Sequence, residues 1–308
     1  MNHSVHGGDR PVPVFPLRQK RPLELPGGAL LDFSRPLVMA VVNCTPDSFY
    51  PESRAPSPEA AAERALEAEA AGADIVDFGA ESTRPGADYV DGAEEIRRLI
   101  PALRLFRRRS ALPVSVDTRK AAVARAALDE GADLVNDVSA LYDDPAMLPL
   151  CADRGAAAVL THGLAEMRLD PAGPGYAGPG GAAEAVRRFL AEAAEKARRG
   201  GIRRDRIILD PGIGFGKTTG DNLLLLNRLA TIGGGDYPLL VGLSRKRFIG
   251  EITGGEKGTP GERLAGTTAA HMAALLLGAD IIRVHDTRAA ADTVRFAAAL
   301  RRPDGGEA

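Results

Sequence analysis

The sequence contains no tryptophan, only two cysteines and few aromatic residues of any kind. Aromatic side chains make up 5% of the 308 residues, whereas hydrophobic residues as a whole make up 44%. A large core is therefore available, but Ala, Leu, Val and Ile must build most of it. This composition favours helices packed around a parallel sheet over a β-sandwich.

Disulfide, export and membrane signals are absent as well. Two cysteines, Cys44 and Cys151, cannot form a disulfide framework, so we expect a cytoplasmic protein. No apolar run reaches the length of a membrane span, and the opening MNHSVHGGDR lacks the apolar stretch of a signal peptide. We therefore expect no membrane partner.

An excess of charge of either sign is also missing. The 39 basic and 41 acidic residues leave a formal net charge of −2. A dedicated nucleic-acid binder would show a basic excess, so we expect no nucleic-acid partner and only local anion sites. Only six of the basic residues are Lys, which makes each Lys near a candidate site informative, because ammonium and guanidinium groups are not equivalent.

The chain does contain a regular alternation of short apolar runs and longer Ala-rich segments with helical spacing. Eight predicted strands end near Asn43, Gly79, Asp117, Asp137, Thr161, Asp210, Leu243 and His285. Each is followed by one predicted helix, at 58–71, 91–108, 119–130, 145–154, 181–200, 220–231, 260–277 and 288–301. Eight strand–helix units in about 250 residues indicate a (β/α)8 barrel.

Three predicted helix-to-strand junctions share the sequence Gly-Ala-Asp, beginning at Gly72, Gly131 and Gly278. Glycine there suits the left-handed position that ends a helix. The strands PVSVD, DLVND and DIIRVHD are apolar on both faces, as a buried parallel sheet requires. We predict an α/β fold, a single-domain TIM barrel over 31–302. A tail or short hairpin at 1–30 precedes it and a tail at 303–308 follows it. A doubly wound open sheet is the alternative.

Polar residues cluster at the C-terminal ends of the predicted strands, where barrel active sites lie. Asn43 is either a Mg²⁺ ligand or a turn residue. Arg84 either clamps a phosphate or carboxylate or is a surface arginine. Arg283 and His285 alternate onto one face of the last strand and point into the barrel. An anionic ligand, or alternatively an ion pair with Asp117 or Asp210, would then compensate the charge of Arg283.

Hydrogen-bond acceptors end strands three, four and six: Asp117, Asn136 with Asp137, and Asp210. They match a flat heterocycle with an amino group and a ring N–H, since one carboxylate can span both donors. A metal site is the alternative. Against it, no His lies at metal-ligand spacing, and one ion does not need acceptors from three strands.

The segment DPGIGFGKT resembles a phosphate-binding loop but does not match one, because Pro211 stands where the P-loop needs Gly. Its glycines either let the backbone approach a ligand, with Phe215 covering a ring, or form a flexible turn with a solvated Lys217. After strand seven, Ser244 either caps a helix or helps that helix N-terminus attract a carboxylate or phosphate. We expect the ammonium group of Lys246, two residues after Ser244, to reach a carbonyl or ring nitrogen of a bound ligand.

Seven segments occur in the order NCTPDSF, ESTRPGA, DTRK, LVNDVSAL, LDPGIGFGK, LLVGLSRK and RVHD. Together they resemble the dihydropteroate synthase family, the folate-pathway enzymes that sulfonamides inhibit, over about residues 37–300. The resemblance implies a transferase that condenses 6-hydroxymethyl-7,8-dihydropterin diphosphate with p-aminobenzoate and releases pyrophosphate. It also implies Mg²⁺ as cofactor and a homodimer formed through helices late in the barrel.

The resemblance implies roles for individual residues. Those for catalysis are Asn43 as the Mg²⁺ ligand, Arg84, Arg283 and His285 on the diphosphate, and Lys246. Those for substrate binding are Asp117, Asn136, Asp210 and Lys246 for the pterin, Thr83, Pro85, Phe215 and Ser244 for p-aminobenzoate, and Gly242. The carboxylate of p-aminobenzoate would lie near the helix that starts at Ser244. No nucleophilic thiol is needed, so Cys44 is expected to take no part.

Two segments depart from the family pattern. Residues 50–54 read YPESR where Ser-Asp-Gly-Gly is frequent, and residues 161–163 read THG where Met-His-Met is frequent. Rival functions are a corrinoid methyltransferase, a non-catalytic pterin-binding paralogue and a sugar-phosphate barrel. The diphosphate set of Arg84, Arg283 and His285 argues against the first two. The acceptors in the pocket argue against the third.

Overall fold

The computed structural model describes residues 22–44, 57–82, 89–163, 176, 180–254 and 263–300. Ten strands lie in this part of the chain, two in a small hairpin and eight in one parallel sheet. The hairpin strands are β1 (Leu23–Glu24) and β2 (Leu30–Leu31). The sheet strands are β3 (Leu37–Asn43), β4 (Ile75–Gly79), β5 (Val114–Asp117), β6 (Leu134–Asp137), β7 (Ala157–Thr161), β8 (Ile207–Asp210), β9 (Leu240–Gly242) and β10 (Ile281–Val284).

The parallel sheet closes on itself. Its order is β8-β7-β6-β5-β4-β3-β10-β9, so the first and last strands of the sheet in sequence, β3 and β10, are hydrogen-bonded neighbours. A parallel bridge between Leu209 and Leu239 joins the two remaining edges, and Leu209 N donates to Pro238 O at 2.9 Å. An open doubly wound sheet would leave those edges unpaired. The predicted (β/α)8 barrel is confirmed.

Nine α-helices surround the barrel in the described part of the chain. They are α1 (Pro58–Ala70), α2 (Gly92–Arg107), α3 (Ala121–Asp129), α4 (Met147–Arg154), α5 (Gly181–Arg199), α6 (Thr219–Asn227), α7 (Arg247–Thr253), α8 (Leu264–Leu276) and α9 (Thr287–Leu300). The prediction of one helix after each strand was wrong after β9, which two helices follow. The first of these, α7, has seven residues and ends at Gly254 in a left-handed conformation, so it is too short to show a clear periodicity.

The Gly-Ala-Asp junctions have the predicted backbone. Gly72, Gly131 and Gly278 have φ angles of +100°, +91° and +109°. Each glycine reverses the chain after its helix in a conformation that other residues adopt only with strain. The aspartate two residues later then bonds the start of a neighbouring strand. Asp74, for example, accepts a hydrogen bond from Val38 N at 2.8 Å.

The β1–β2 hairpin covers the N-terminal end of the barrel. Its side chains Leu23, Leu25 and Leu31, with Phe33, form a cluster with the first inward residues of the barrel strands, among them Met39. Antiparallel pairing of Leu23 with Leu31 holds the hairpin together. This apolar cluster fills the N-terminal end of the barrel interior, and the charged side chains of the interior lie at the opposite, C-terminal end.

Replacing Leu23 by Ala should lower the free energy of unfolding by about 2–4 kcal/mol, because the lost side chain leaves a cavity under the barrel. Leu23 is 1% exposed, whereas Leu30 in the paired strand is 61% exposed. Leu30→Ala is the matched control and should change stability by less than about 0.5 kcal/mol. Urea denaturation followed by circular dichroism measures both. Equal losses for the two variants would show that the hairpin does not seal the barrel.

Candidate active site

Five strands bring charged and polar side chains together inside the C-terminal end of the barrel. Arg283, from β10, lies at the centre of this group. Its Nε donates to Asp77 Oδ2 at 2.6 Å, and one terminal nitrogen donates to Asp117 Oδ2, also at 2.6 Å. Asn136 Nδ2 donates to the same Asp77 oxygen at 3.0 Å. One guanidinium thus holds two carboxylates from neighbouring strands in a fixed arrangement.

Asp77 is the residue of this group that the sequence reasoning missed. It lies within β4, is fully buried, and its second oxygen, Oδ1, accepts no hydrogen bond from the described residues. A buried carboxylate is costly unless it is paired, and here Arg283 and Asn136 pair it. A charged residue inside the apolar run Ile75-Val76-Asp77-Phe78 was the signal that could have identified it.

Arg283 therefore has ion-pair partners in the protein itself. Asp117 was one of the two partners considered from the sequence, whereas Asp210 forms no hydrogen bond with Arg283. Burial lowers the pKa of Arg283, but the charges of Asp77 and Asp117 outweigh this effect and raise it. Burial raises the pKa of Asp117 against the opposing effect of Arg283. Arg283 is still partly exposed, with 24% of its side-chain surface open, so it can also meet a ligand.

Asp210 and Lys246 form the second half of the site. Asp210 Oδ1 accepts a hydrogen bond from Gly212 N at 2.8 Å, and Lys246 Nζ donates to Ile213 O. Burial raises the pKa of Asp210, whereas Lys246, Lys217 and Arg283 favour its ionised form. Burial lowers the pKa of Lys246 to about 8 in spite of Asp210. The two groups are a carboxylate and an ammonium that remain available to a polar heterocycle.

An aromatic ring and a glycine lie beside Asp210 and Lys246 and complete this half of the site. The ring centroid of Phe215 lies 4.9 Å from Lys246 Nζ, a cation–π contact. Gly242 is paired with Arg283 in the sheet. A Cβ atom at Gly242 would lie 4.0 Å from both Arg283 Cβ and Lys246 Nζ, so glycine leaves open space between these side chains.

The turn after β9 contacts the turn after β10. Ser244 Oγ accepts a hydrogen bond from His285 N at 3.2 Å and lies 3.0 Å from His285 Nδ1. Arg245 binds Asp286 through two nitrogens, at 2.9 and 2.5 Å. These contacts hold Ser244, Lys246 and His285 on one side of the pocket.

The predicted helix start at Ser244 was wrong. Helix α7 begins at Arg247, and Lys246 occupies the N-cap position without a side-chain capping bond. Arg245 has a φ of +60°, which is incompatible with a right-handed helix. The hydroxyl of Ser244 therefore bonds to His285 instead of capping the helix.

The prediction that Asp137 is an inward acceptor was also wrong. Its carboxylate accepts hydrogen bonds from Ser139 N and Ser139 Oγ, both at 2.7 Å, and from Leu141 N at 3.2 Å. These bonds hold a turn in which Ala140 and Leu141 have φ angles of +53° and +64°. Asp137 shapes the loop after β6, and its neighbour Asn136 alone faces the pocket.

A second ion cluster stands beside the pocket. Lys120 Nζ donates to Glu81 Oε2 and to Glu95 Oε2, both at 2.8 Å, and Arg119 bonds to Glu81 and Asp143. Glu81 Oε1 also accepts a hydrogen bond from Val90 N at 3.2 Å. Glu81 therefore joins the two described ends of the segment that contains ESTRPGA.

Comparison with known proteins agrees with this geometry. The family model described as pterin binding enzyme matches residues 39–285. A dihydropteroate synthase of Synechocystis sp. is 40% identical over 277 residues, which cover 90% of this chain and 94% of that protein.

Two solved structures share the fold. Xanthomonas albilineans dihydropteroate synthase with 4-aminobenzoic acid has a TM-score of 0.82 at 41% identity, covering 92% of this chain and 98% of that chain. The same protein in complex with 7,8-dihydropteroate has a TM-score of 0.79 at 39% identity, covering 91% and 99%. The chain belongs to the dihydropteroate synthase family. The predicted family, fold and enzyme class are thereby confirmed.

The structure places most of the predicted residues of the synthase site. Nine of them lie together at the C-terminal end of the barrel: Asn43, Asp117, Asn136, Asp210, Phe215, Gly242, Lys246, Arg283 and His285. Ser244 joins them through His285. Thr83, Arg84 and Pro85 lie outside the described residues, as do residues 50–54, which depart from the family pattern, and the tail 303–308.

Both cysteines, Cys44 and Cys151, are buried free thiols. Cys44 follows Asn43 directly but is buried, and burial raises its pKa to about 12. Cys151 is buried in α4, and burial likewise raises its pKa to about 12. Both thiols are protonated at neutral pH and are weak nucleophiles in that form.

In the described part of the chain, no helix has the length and apolar character needed to cross a bilayer.

Proposed function

We propose that the chain transfers the pterin-6-ylmethyl group of 6-hydroxymethyl-7,8-dihydropterin diphosphate to the amino group of p-aminobenzoate. The products are 7,8-dihydropteroate and pyrophosphate. The observation that carries this proposal is the pairing of Arg283 with Asp77 and Asp117 beside Asp210, Lys246 and Phe215. One pocket thus offers acceptors for a heterocycle, cations for a diphosphate and a ring for an aromatic amine.

The pterin binds to the strand-borne acceptors. Asp210 has one oxygen engaged by Gly212 N, and its other oxygen faces the amino edge of the pterin, with which it forms a charge-assisted hydrogen bond. Asp117 and Asn136 bind the ring nitrogens, and Lys246 donates to a ring nitrogen or carbonyl. These side chains come from β5, β6, β8 and the turn after β9, so rigid strands set their spacing.

The aromatic amine binds against Phe215 and beside the open space that Gly242 leaves. Ser244, which contacts His285 beside this space, binds the amine as well, and the proposal assigns Thr83 and Pro85 to the same substrate. The carboxylate of p-aminobenzoate lies near Ser244 and the start of α7. A related structure supports this assignment, since the Xanthomonas albilineans enzyme was solved with 4-aminobenzoic acid.

The diphosphate binds to Arg283, His285 and Arg84. In the reaction the C–O bond between the pterin methylene and the diphosphate breaks, and the amine nitrogen forms a new bond to the methylene carbon. The nitrogen then loses one proton. The cationic side chains stabilise the negative charge that grows on the leaving group. The buried carboxylates stabilise the positive charge that develops on the pterin methylene.

Mg²⁺ fits this site as an ion that arrives with the diphosphate. The described residues contain no group of three His, Cys, Asp or Glu side chains that could hold a metal. Asn43, at the end of β3, supplies one amide oxygen. Mg²⁺ usually binds through one or two protein oxygens, substrate phosphates and water, so one ligand is sufficient. Bound there, it would neutralise charge on the departing diphosphate.

Assembly as a homodimer in the cytoplasm is part of the proposal. Three consecutive helices late in the barrel expose large apolar side chains: Leu223 of α6, Ile252 of α7 and Leu264 of α8. Burial of these side chains against a second copy would stabilise a dimer. Sedimentation velocity at micromolar concentration tests this assignment by the mass of the particle.

The test of the activity is a pyrophosphate-release assay with purified protein, the pterin diphosphate, p-aminobenzoate and Mg²⁺. Release that requires both the amine and Mg²⁺ supports the proposal. Binding of the pterin diphosphate without release would indicate a paralogue with another acceptor or a binding role. Failure to bind the pterin diphosphate would overturn the assignment of the pocket.

The rate should fall in alkaline solution because Lys246 loses its charge. The pKa of this ammonium is lowered to about 8, so the group is charged below pH 8 and neutral above it. We expect kcat/KM for the pterin diphosphate to fall above pH 8, by up to about tenfold per pH unit. Lys246→Arg should be slower but should lack this alkaline limb, because guanidinium stays charged. An unchanged limb in the variant would assign the titration to another group.

A further inference from the structure

The ammonium group of Lys217 lies in a cage of acceptors at the base of the glycine-rich loop 211–217. Its Nζ donates to Gly212 O at 2.9 Å, to Phe215 O at 3.1 Å and to His162 O at 3.2 Å. His162 Nδ1 lies 3.0 Å away. Lys217 is 8% exposed, so the alternative of a flexible turn with a solvated lysine was wrong.

The hydrogen-bonding capacity of an ammonium group determines which atoms of this cage donate and which accept. An ammonium group has three N–H donors and no acceptor, so in its contact with His162 the ring nitrogen Nδ1 accepts, and three donors are shared among four acceptors. Burial of a charge is costly unless hydrogen bonds compensate it, and three carbonyl oxygens and a ring nitrogen do so here. The positive charge also favours the ionised form of Asp210.

The loop itself explains why a cation is needed. Gly212, Gly214 and Gly216 have φ angles of +62°, +86° and +58°, so the chain coils tightly. A Cβ atom at Gly212 would lie 1.8 Å from His162 O, which shows how closely the loop is pressed against the end of β7. Two carbonyl oxygens of the loop, those of Gly212 and Phe215, converge with His162 O from the end of β7, and the three repel one another. The ammonium group at their centre converts that repulsion into attraction.

The loop that Lys217 closes carries two contacts of the active site. Ile213 O accepts the hydrogen bond from Lys246 Nζ, and the Phe215 ring lies against the same ammonium. Two further hydrogen bonds depend on the coil: Phe215 N donates to Gly212 O within the loop at 3.1 Å, and Gly214 N donates to the side-chain oxygen Oδ1 of Asn222 in α6 at 2.7 Å. If the coil opens, Phe215 loses its position.

We propose that Lys217 is a positioning residue for the aromatic-amine site. Its ammonium group holds the loop 211–217 closed and thereby places the Phe215 ring and the Ile213 carbonyl that orients Lys246. The proposal rests on the proposed function, because it takes Phe215 as the wall against which the amine binds. Lys217 itself contacts neither substrate.

The experiment compares wild-type enzyme with Lys217→Met, which keeps an unbranched side chain only one atom shorter and removes its charge. We expect KM for p-aminobenzoate to rise about tenfold or more, because the amine has lost a fixed wall. The Kd of the pterin diphosphate, measured by calorimetry, should rise by no more than about threefold. Lys246 loses the carbonyl that orients it, but Asp117, Asn136 and Asp210 stand on strands and still bind the pterin. Lys217→Arg should not restore the amine KM, because a planar guanidinium does not fit a cage built for ammonium.

Hydrogen exchange of the substrate-free enzyme provides a readout that does not depend on activity. The amides of Gly212, Gly214 and Phe215 should exchange faster in Lys217→Met than in wild type. Thr218→Ala is the matched control, because it removes the helix cap that Thr218 provides to Asp221 N and leaves the cage intact. This control should lower the melting temperature without changing the amine KM.

Two results would overturn the proposal. One is a Met variant with wild-type amine KM and wild-type exchange at the three amides. The other is a variant in which the amine KM and the pterin Kd rise by the same factor, since that would mean general loss of structure. A wild-type enzyme that releases no pyrophosphate would overturn the proposed function instead, and the exchange comparison would still decide whether Lys217 holds the loop.

Discussion

Arg283→Lys should lower kcat/KM for the pterin diphosphate by about 10²- to 10³-fold, the effect expected on losing a charged donor aimed at a leaving group. Arg283 binds Asp77 and Asp117 through two different nitrogens. A lysine has one nitrogen at the end of a flexible chain, so it cannot hold both carboxylates and also face a diphosphate. Pyrophosphate release under saturating amine measures the change.

The conservative variant separates chemistry from folding. Arg283→Ala would leave two buried carboxylates unpaired and should cost about 3–5 kcal/mol of stability, whereas Arg283→Lys keeps the positive charge. Arg288→Ala is the control, because this arginine, 75% exposed on α9, lies shortly after Arg283 in the chain. It should retain wild-type activity. If the Arg283→Lys enzyme kept more than about a tenth of wild-type kcat/KM, the role assigned to Arg283 would be refuted.

Asp210→Asn should raise the Kd of the pterin diphosphate about 100-fold, which corresponds to about 2.7 kcal/mol of binding free energy. The amide oxygen of Asn can still accept the hydrogen bond from Gly212 N, so the loop stays in place. The amide lacks the charge and the second acceptor oxygen that face the amino edge of the pterin. Calorimetric titration with the pterin diphosphate measures the loss.

Stability should not follow binding in this variant. Burial raises the pKa of Asp210 above its ordinary value. The folded protein therefore loses stability as the pH rises from the ordinary pKa to the raised pKa, because Asp210 ionises more readily in the unfolded chain. A neutral Asn avoids this cost, and the melting temperature at pH 7 should be equal to or higher than that of wild type. Asp205→Asn, at the other end of the barrel beside Arg203, is the control and should leave the Kd unchanged. Unchanged pterin affinity in Asp210→Asn would remove Asp210 from the site.

Local rules were sufficient to predict much of this molecule. The strand ends predicted at Asn43, Gly79, Asp117 and Asp210 agree with the structure. An apolar run marks the buried length of a strand, and the first polar residue or glycine after it marks where the strand ends. The glycines at the helix-to-strand junctions were predictable from backbone sterics alone. The strand ends predicted at Leu243 and His285 lie one residue beyond the observed ends, Gly242 and Val284, where the chain already turns into the site.

Other features were beyond any local rule. The start of α7 depends on the positive φ of Arg245, and Asp286, Arg263 and Thr267 all contact this residue. The cage around Lys217 takes His162 from the end of β7, 55 positions away in sequence. A glycine-rich segment and a lysine are compatible with a flexible turn or with a closed loop. The contact with His162 decides between them.

The sequence by itself determined the order of the barrel and the end at which the polar residues gather, because alternating strands and helices place successive strands side by side and point them the same way. The tertiary structure alone decided which charges pair. Arg283 meets Asp77 across 206 positions and Asp117 across 166. Closure of the barrel puts β10 next to β3 and across from β5, and a pairing energy depends on distance in space rather than along the chain.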